Sequence, residues 1–328
     1  TSRLARPTAT AASGSSAEPS PGTVTSRPVP LLDRQFVVVT GKGGTGKTTV
    51  SAALAVLAAR LGKRVLICEM DAKGSLASAF DTGALPFEPI AVGDRIWAMA
   101  MNTEDSLREY LRLFLHVPLV GRLNVLARTF DFVADAAPGV KEILSLGKLC
   151  YEVRERHYDL VIVDGVATGH VIAQLSAPDA IGELIKVGPV KDQTRWMQDI
   201  LEDHARTGVV LVTTPEEMPV VETIDLVGRI GSETKVDVAA VVANRVLPEL
   251  FGRSEEAVFD ALERPAAMTV LEEVIGEGVR SVLDGARLAV EMRRTGAAHL
   301  DTLRTTLDRK STRLNSSHVA LSRMPSSA

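Results

Sequence analysis

Residues 40–55 read TGKGGTGKTTVSAALA, a glycine-rich segment with two lysines. It contains the pattern GxxxxGK[ST], from Gly41 to Thr48, between an apolar segment and a segment of helical character. Glycines allow the backbone to curl so that several N–H groups point toward phosphate oxygens, and the helix that follows offers its positive N-terminus. The stretch therefore predicts a nucleotide site made of a strand, a phosphate-binding loop and a helix.

The loop residues have predicted tasks. Lys47 would reach the β- and γ-phosphates, and the hydroxyl of Thr48 would ligate Mg²⁺. The residues expected to contact the nucleotide are Gly43, Gly44, Thr45, Gly46, Lys47, Thr48 and Thr49. Lys42 has no such task, because it stands at the entrance of the loop, where a phosphate site of the commonest kind does not need a second lysine.

Alternating segments on both sides of the loop predict an α/β fold. Apolar, β-branched runs separated by helical stretches are typical of a parallel sheet covered on both faces. The helix after the loop should cover Ser51–Leu61 and end at Gly62. The runs predicted to be strands are Gln35–Thr40, Arg64–Met70, Ile96–Met101, Asp159–Asp164, Val209–Thr214 and Val236–Ala243.

Two longer helical segments interrupt the alternation, at about 102–157 and 171–207, with Pro178 and Pro189 as expected breaks in the second. We expect them to form an inserted helical subdomain. Residues 1–30 are rich in Ser, Thr, Ala and Pro and predict a disordered tail. Residues 308–328 resemble a translated sequencing adapter, so we expect a non-native tail there and a folded domain over 31–307.

Composition narrows the class of protein. The chain has 328 residues, of which 45% are hydrophobic and 24% charged, a mixture typical of a globular domain with a real core. A net charge of −4 gives no reason to expect nucleic-acid binding. Two cysteines cannot form a disulfide framework, and no uncharged apolar run approaches the roughly 20 residues that span a bilayer. We expect a cytoplasmic protein, with or without peripheral attachment to a membrane.

The sequence KGGxGK[ST] around Lys42 resembles the deviant phosphate loop of a class of ATPases. This class includes the nitrogenase iron protein, plasmid-partitioning and septum-placing ATPases, and the arsenite-pump and tail-anchored-protein targeting ATPases. The resemblance implies a P-loop NTPase fold, ATP and Mg²⁺ as cofactors, and a dimer, either of identical chains or with a paralogous ATPase. It also implies that Lys42 reaches the partner's phosphates, where a cation stabilises transition-state charge.

Three further segments resemble the arsenite-pump and targeting branch. EMDAKGSLASAF, from Glu69, is similar to its first switch and implies that Asp71 orients the attacking water, although Ala72 and Gly74 replace the usual Pro and His. VIVDGVATGH, from Val161, resembles its second switch. There the resemblance implies that Asp164 holds Mg²⁺ through water and Gly169 senses the γ-phosphate. VVANRVLP, from Val241, implies that Asn244 reads adenine.

Together these patterns predict a Mg²⁺-dependent ATPase that works as a nucleotide-switched dimer of the arsenite, anion-transporting and membrane-protein-targeting family. The resemblance implies a membrane-protein client or a membrane transporter as a further partner. Two alternatives stay open, a nucleotide-dependent binding module without turnover and a partitioning-type ATPase. Cys68 and Cys150 are too few for a three-thiolate metalloid site, and we expect both to be buried structural residues.

Overall fold

The computed structural model describes residues 29–70, 74–102, 104–106, 109, 140–184 and 189–311. Asp71, predicted to be catalytic, lies outside these residues. So do most of the predicted disordered tail and most of the predicted non-native tail. The expected division of the chain into these parts therefore stays a prediction.

The described residues form one seven-stranded sheet in the order β3-β4-β2-β5-β1-β6-β7. All neighbouring strands are parallel except β3 and β4, which are antiparallel. The predicted α/β fold with a mostly parallel sheet is confirmed. The strands are β1 (Phe36–Gly41), β2 (Val65–Glu69), β3 (Ile90–Gly93), β4 (Ile96–Ala100), β5 (Leu160–Ala167), β6 (Thr207–Thr213) and β7 (Val238–Ala243).

Strand β3 is the one strand that the sequence patterns did not predict. It has four residues and lies at the edge of the sheet, where most of its side chains are exposed. Ile90, Ala91 and Val92 are apolar, but a run of three residues is shorter than the runs that predicted the other strands and does not distinguish this segment from a loop.

The helices follow the strands as the alternation predicted. Short helix η1 (Leu31–Asp33) precedes β1. The α-helices are α1 (Lys47–Arg60), α2 (Ser75–Ala79), α3 (Val140–Arg154), α4 (Thr168–Leu184), α5 (Pro189–Leu201), α6 (Glu217–Glu233), α7 (Arg253–Leu262), α8 (Pro265–Ile275) and α9 (Gly278–Ser311). Helix α1 begins at Lys47 and not at the predicted Ser51, because the last residues of the phosphate motif already form its first turn.

Side chains that alternate along β1 divide the core into two layers. Val37 and Val39 pack on one face of the sheet with Val50 of α1 and Leu76 of α2. Phe36 and Val38 point to the opposite face, which is covered by apolar residues of α3, α4, α5, α6 and α9. Successive side chains of a strand face opposite ways, so a strand buried on both faces must be apolar throughout, as β1 is.

The described helices of the two inserted segments cover the face of the sheet on which Phe36 and Val38 lie. Helices α3, α4 and α5 contact one another, and each also contacts a strand of the sheet. Leu149 of α3, Leu175 of α4 and Met197 of α5 share a core cluster with strand residues. The described parts of the inserts therefore pack together and onto the sheet, while residues 110–139 lie outside the described chain.

The prediction that Pro178 breaks the second segment is wrong, because Pro178 lies inside α4. A proline removes one backbone hydrogen bond from a helix. Val171 and Leu175 of α4 are buried in the core, and their packing holds the helix across this defect. Pro189 does mark a boundary, since it is the first residue of α5, where the lost N–H needs no partner. In the described chain we find no helix with the length and apolar character needed to cross a membrane.

Candidate nucleotide-binding site

The phosphate loop lies at the carboxyl end of β1, between β5 and β6. A Cβ atom on Gly41 would overlap the backbone carbonyl oxygen of Val212 in β6. Only glycine therefore allows the chain to leave β1 this close to its neighbour strand. In open α/β sheets the ligand site is the crevice outside the carboxyl ends of such central strands.

Gly46 sets the start of α1. Its φ of 92° lies in the left-handed region, which costs a residue with a side chain energy that glycine avoids. A Cβ at this position would also overlap the amide nitrogen of Asn244. The glycine at the sixth position of the motif is thus required both by backbone conformation and by close packing.

A cleft of about 720 Å³ opens beside the loop and the N-terminus of α1. Seven predicted site residues line it, namely Gly43, Gly44, Gly46, Lys47, Thr48, Thr49 and Asp164. The sequence analysis missed the other lining residues, which are Glu69, Ser75, Ser78, Ala79, Gly165 and Arg245. The volume lies in the range of pockets that hold small molecules and cofactors.

Thr48 and Asp164, the two predicted metal residues, are in direct contact. The hydroxyl of Thr48 donates to Asp164 Oδ2 at 2.7 Å, and the hydroxyl of Ser51 donates to Oδ1 at 3.1 Å. Burial raises the pKa of Asp164, and the nearby charge of Glu69 adds to this, while the two hydroxyls act in the opposite direction. A buried carboxylate with such a pKa favours a nearby cation.

Mg²⁺ fits the residues present. It prefers oxygen ligands and usually keeps several waters, with only one or two protein ligands. The Thr48 hydroxyl would bind the ion directly and Asp164 would hold it through water, both at the wall of the cleft.

Glu69 is a buried carboxylate next to this pair. It ends β2 and lies in register with Asp164 of β5, so the two residues stand side by side at the edge of the sheet. Its Oε1 atom accepts hydrogen bonds from the backbone N–H groups of Ser75, at 2.8 Å, and Leu76, at 3.4 Å. Glu69 thus fixes the start of α2 against the cleft. The signal in the sequence was its position, since it ends an apolar run as Asp164 does.

The two lysines of the loop point in different directions. Lys47 lines the cleft, and its Nζ donates to the Lys42 carbonyl at 3.4 Å. The side chain of Lys42 forms an ion pair with Glu222 of α6 in the same chain. In the described chain Lys42 is not among the residues that line the cleft.

Of the remaining predicted residues, Thr45 and Asn244 lie at the phosphate loop, whereas Gly169 lies away from the cleft. Thr45 is buried, and its carbonyl accepts a hydrogen bond from Asn244 Nδ2 at 2.9 Å. Asn244 Oδ1 accepts from the N–H of Arg245 at 2.9 Å, so both ends of the amide already contact the backbone. Gly169 is an exposed residue of the first turn of α4 and, in the described chain, does not line the cleft.

Comparison with known proteins agrees with this geometry. A model of the family described as anion-transporting ATPase matches residues 34–191 and 184–261, which together make up more than half of the chain. The chain belongs to this family. The resemblance that the sequence motifs indicated is therefore confirmed.

Several curated members of the family are similar to the chain. It is 32% identical over 222 residues to ATPase BagA of Mycobacterium tuberculosis, covering 64% of this chain and 65% of the relative. It is 29% identical to a putative arsenical pump-driving ATPase of Halobacterium salinarum, over 75% of this chain and 40% of that protein. An ATPase ASNA1 homologue of Paramecium tetraurelia is 28% identical, over 65% of this chain and 76% of that protein. The match thus spans slightly less than two thirds of the mycobacterial relative.

Proposed function

We propose that the chain is a Mg²⁺-dependent ATPase that works as a nucleotide-switched dimer. The observation that carries this proposal is the contact between Thr48 and Asp164 beside the phosphate loop. The hydroxyl lies in the first turn of α1, directly after the phosphate loop, and the buried carboxylate lies in β5. Phosphoryl transfer uses such a pair to hold its metal.

Binding is assigned to the loop and to α1. The backbone N–H groups of residues 43–49 and the positive end of α1 would hold the phosphates, and Lys47 would neutralise their charge. When bound, Mg²⁺ supplies positive charge to the phosphate oxygens at which negative charge develops. Asp71 is proposed to position the attacking water and Gly169 to sense the γ-phosphate, as the resemblance implies.

Lys42 is proposed to act in a dimer. Among the described residues Lys47 lines its own cleft and Lys42 does not. Lys42 would leave its ion pair with Glu222 to neutralise charge at the nucleotide of the partner subunit when the dimer closes. Such an arrangement makes hydrolysis depend on association. Hydrolysis would then release the loops around the nucleotide and separate the subunits.

The two cysteines give no support for arsenite as the cargo. Cys68 and Cys150, the two cysteines of the chain, are both fully buried. Two buried thiols are too few for the three thiolates of an arsenite site, so we do not propose arsenite as the cargo. We propose that the ATPase serves a membrane-protein client or a membrane transporter from the cytoplasm, and we expect no nucleic-acid partner.

The test is a comparison of binding and turnover in three proteins. The wild type should bind ATP and, with Mg²⁺, release phosphate. Lys47→Ala should lose nucleotide binding. Lys42→Ala should still bind ATP but should not hydrolyse it. Full turnover by Lys42→Ala would show that the cross-interface role is wrong. Absence of phosphate release in a single turnover of the wild type would favour a binding module, and stimulation by DNA would favour a partitioning ATPase.

A further inference from the structure

An ion pair joins the phosphate loop to α6 in the same chain. Lys42 Nζ donates to Glu222 Oε1, although the two residues are 180 positions apart in sequence. Each side chain is 33% exposed. Neither the phosphate-loop motif nor the predicted function assigns any role to Glu222.

The pair determines where the charge of Lys42 lies. The carbonyl of Lys42 faces back into the loop, where it accepts hydrogen bonds from Lys47 Nζ at 3.4 Å and from Thr45 Oγ1 at 2.9 Å. Its ammonium group is directed outward to α6. The loop therefore fixes the backbone of Lys42 while Glu222 selects the direction of its side chain.

From this geometry we infer that Glu222 is a positioning residue that holds Lys42 within its own subunit until the partner's nucleotide competes for it. This inference rests on the proposed function, because it assumes that Lys42 acts in the dimer. Glu222 would make the closed, active dimer harder to form and so keep turnover low in the separate subunits.

The partial exposure of the ion pair supports the idea that Lys42 can exchange Glu222 for the nucleotide of the partner subunit. Ion pairs with this exposure are weak, because water screens them and two long side chains must be ordered. A triphosphate carries several negative charges, and at a closed interface it meets Lys42 in a less polar environment, where attraction is stronger. Glu222 can therefore delay the transfer of Lys42 without preventing it.

The surface around the pair is suited to contact with a second subunit. Met218 lies one helical turn before Glu222 and is 58% exposed, and Val221, the preceding residue, is 55% exposed. Large apolar side chains next to an ion pair that is one-third exposed form a surface that a second subunit can cover. Covering it would also remove water from Glu222 and Lys42, which makes their rearrangement part of dimer closure.

The experiment measures ATP turnover per chain against protein concentration for the wild type and for Glu222→Gln. Each pair is worth about two- to fivefold in the dimer equilibrium, and a dimer of identical chains breaks two of them, so the variant should reach half-maximal turnover at about four- to 25-fold lower concentration. In the Lys42→Ala background, which should not turn over, the readout is dimer formation with ATP and Mg²⁺ by sedimentation velocity, and Glu222→Gln should leave it unchanged. Asp225→Asn, an exposed carboxylate on the same helix, is the matched control and should behave as the wild type. Sedimentation velocity with ATP and Mg²⁺ measures dimer formation by each variant, and thermal unfolding checks that each variant is folded.

The outcomes separate the two proposals. Suppose that wild-type turnover depends on Lys42 but Glu222→Gln leaves its concentration dependence unchanged or lowers turnover, or changes dimer formation equally in the Lys42→Ala background. The role of Glu222 is then wrong and the ATPase proposal stands. If the wild type shows no Lys42-dependent turnover, the proposed function is wrong and this inference is wrong with it.

Discussion

Asn244, in the turn that follows β7, donates a hydrogen bond from Nδ2 to the Thr45 carbonyl at 2.9 Å and so connects the edge of the sheet to the phosphate loop. The resemblance implies a different task for this residue, namely recognition of adenine. Support of the loop would affect the binding of every nucleotide, whereas recognition of adenine would affect only the binding of adenine nucleotides, and binding measurements distinguish the two.

If Asn244 mainly supports the loop, Asn244→Ala should weaken binding of ATP and GTP by the same factor, about three- to tenfold for one lost hydrogen bond. If it reads adenine, only ATP binding should weaken. Equilibrium binding of both nucleotides by fluorescence or calorimetry distinguishes the two results. Equal loss would contradict adenine recognition as the main role.

Gly46→Ala should destabilise the nucleotide-free protein by about 1–3 kcal/mol, because alanine must adopt a left-handed backbone and its methyl group would meet the Asn244 amide. Gly43→Ala is the matched comparison, since its added Cβ meets no described atom within 4 Å and its φ is not positive. Chemical denaturation of both variants gives the free energies. Similar losses at the two positions would mean that the contact with Asn244 is not a constraint.

The raised pKa of Asp164 predicts how stability depends on pH. The folded protein binds the proton of the Asp164 carboxyl group more tightly than the unfolded chain does. Protonated Asp164 therefore adds to the free energy of unfolding at low pH, and this stabilisation is lost as pH rises through the folded pKa. The side chain of Asp164→Asn cannot ionise, so the variant does not lose stability in this way. Without nucleotide, its melting temperature should rise relative to the wild type between about pH 4, where an unfolded Asp titrates, and pH 7.

Added Mg²⁺ and ATP provide the control for Asp164. They should raise the melting temperature of the wild type and should raise that of Asp164→Asn less, because the variant lacks the negative charge that the cation favours. A variant that is less stable than the wild type throughout this pH range would show that the carboxylate stabilises the empty site.

The cysteines should be chemically inert in the folded protein. Burial raises the pKa of Cys150 to about 12. Burial, with the charges of Asp164 and Glu69, also raises the pKa of Cys68 well above its usual range. Since the thiolate is the reactive form, a thiol reagent should modify neither residue in the native state and both after denaturation. Fast labelling of the native protein would contradict the buried placement.

Glu152→Gln should destabilise the protein by about 3 kcal/mol, as expected when one partner of a buried ion pair is removed. Lys148 Nζ lies 2.8 Å from Glu152 Oε1, with both side chains buried. Burial alone would lower the pKa of Lys148, but the hydrogen bond and charge of Glu152, with the charges of Glu109 and Glu88, together raise it. The double variant Lys148→Met, Glu152→Leu should recover much of the loss. Failure to recover would indicate that the other partners, His157 bonded to Glu152 and Glu109 bonded to Lys148, contribute more than the pair itself.

The sequence determined most of the sheet and the centre of the site. Apolar runs fixed the six long strands because each is buried on both faces, and GxxxxGK[ST] fixed the loop because its glycines are required by contacts as close as that of Gly46 with Asn244. Asp164 could be predicted because a carboxylate at the end of such a run stands at the edge where ligands bind.

Tertiary structure alone decided the side-chain partners. The ion pair between Lys42 and Glu222 joins residues 180 positions apart, and no local pattern encodes a contact over that separation. Glu69 became part of the site only when β2 and β5 aligned it with Asp164. Helix α4 continues through Pro178 for the same reason, because packing of the helix against the sheet is stronger than the local tendency of proline to end it.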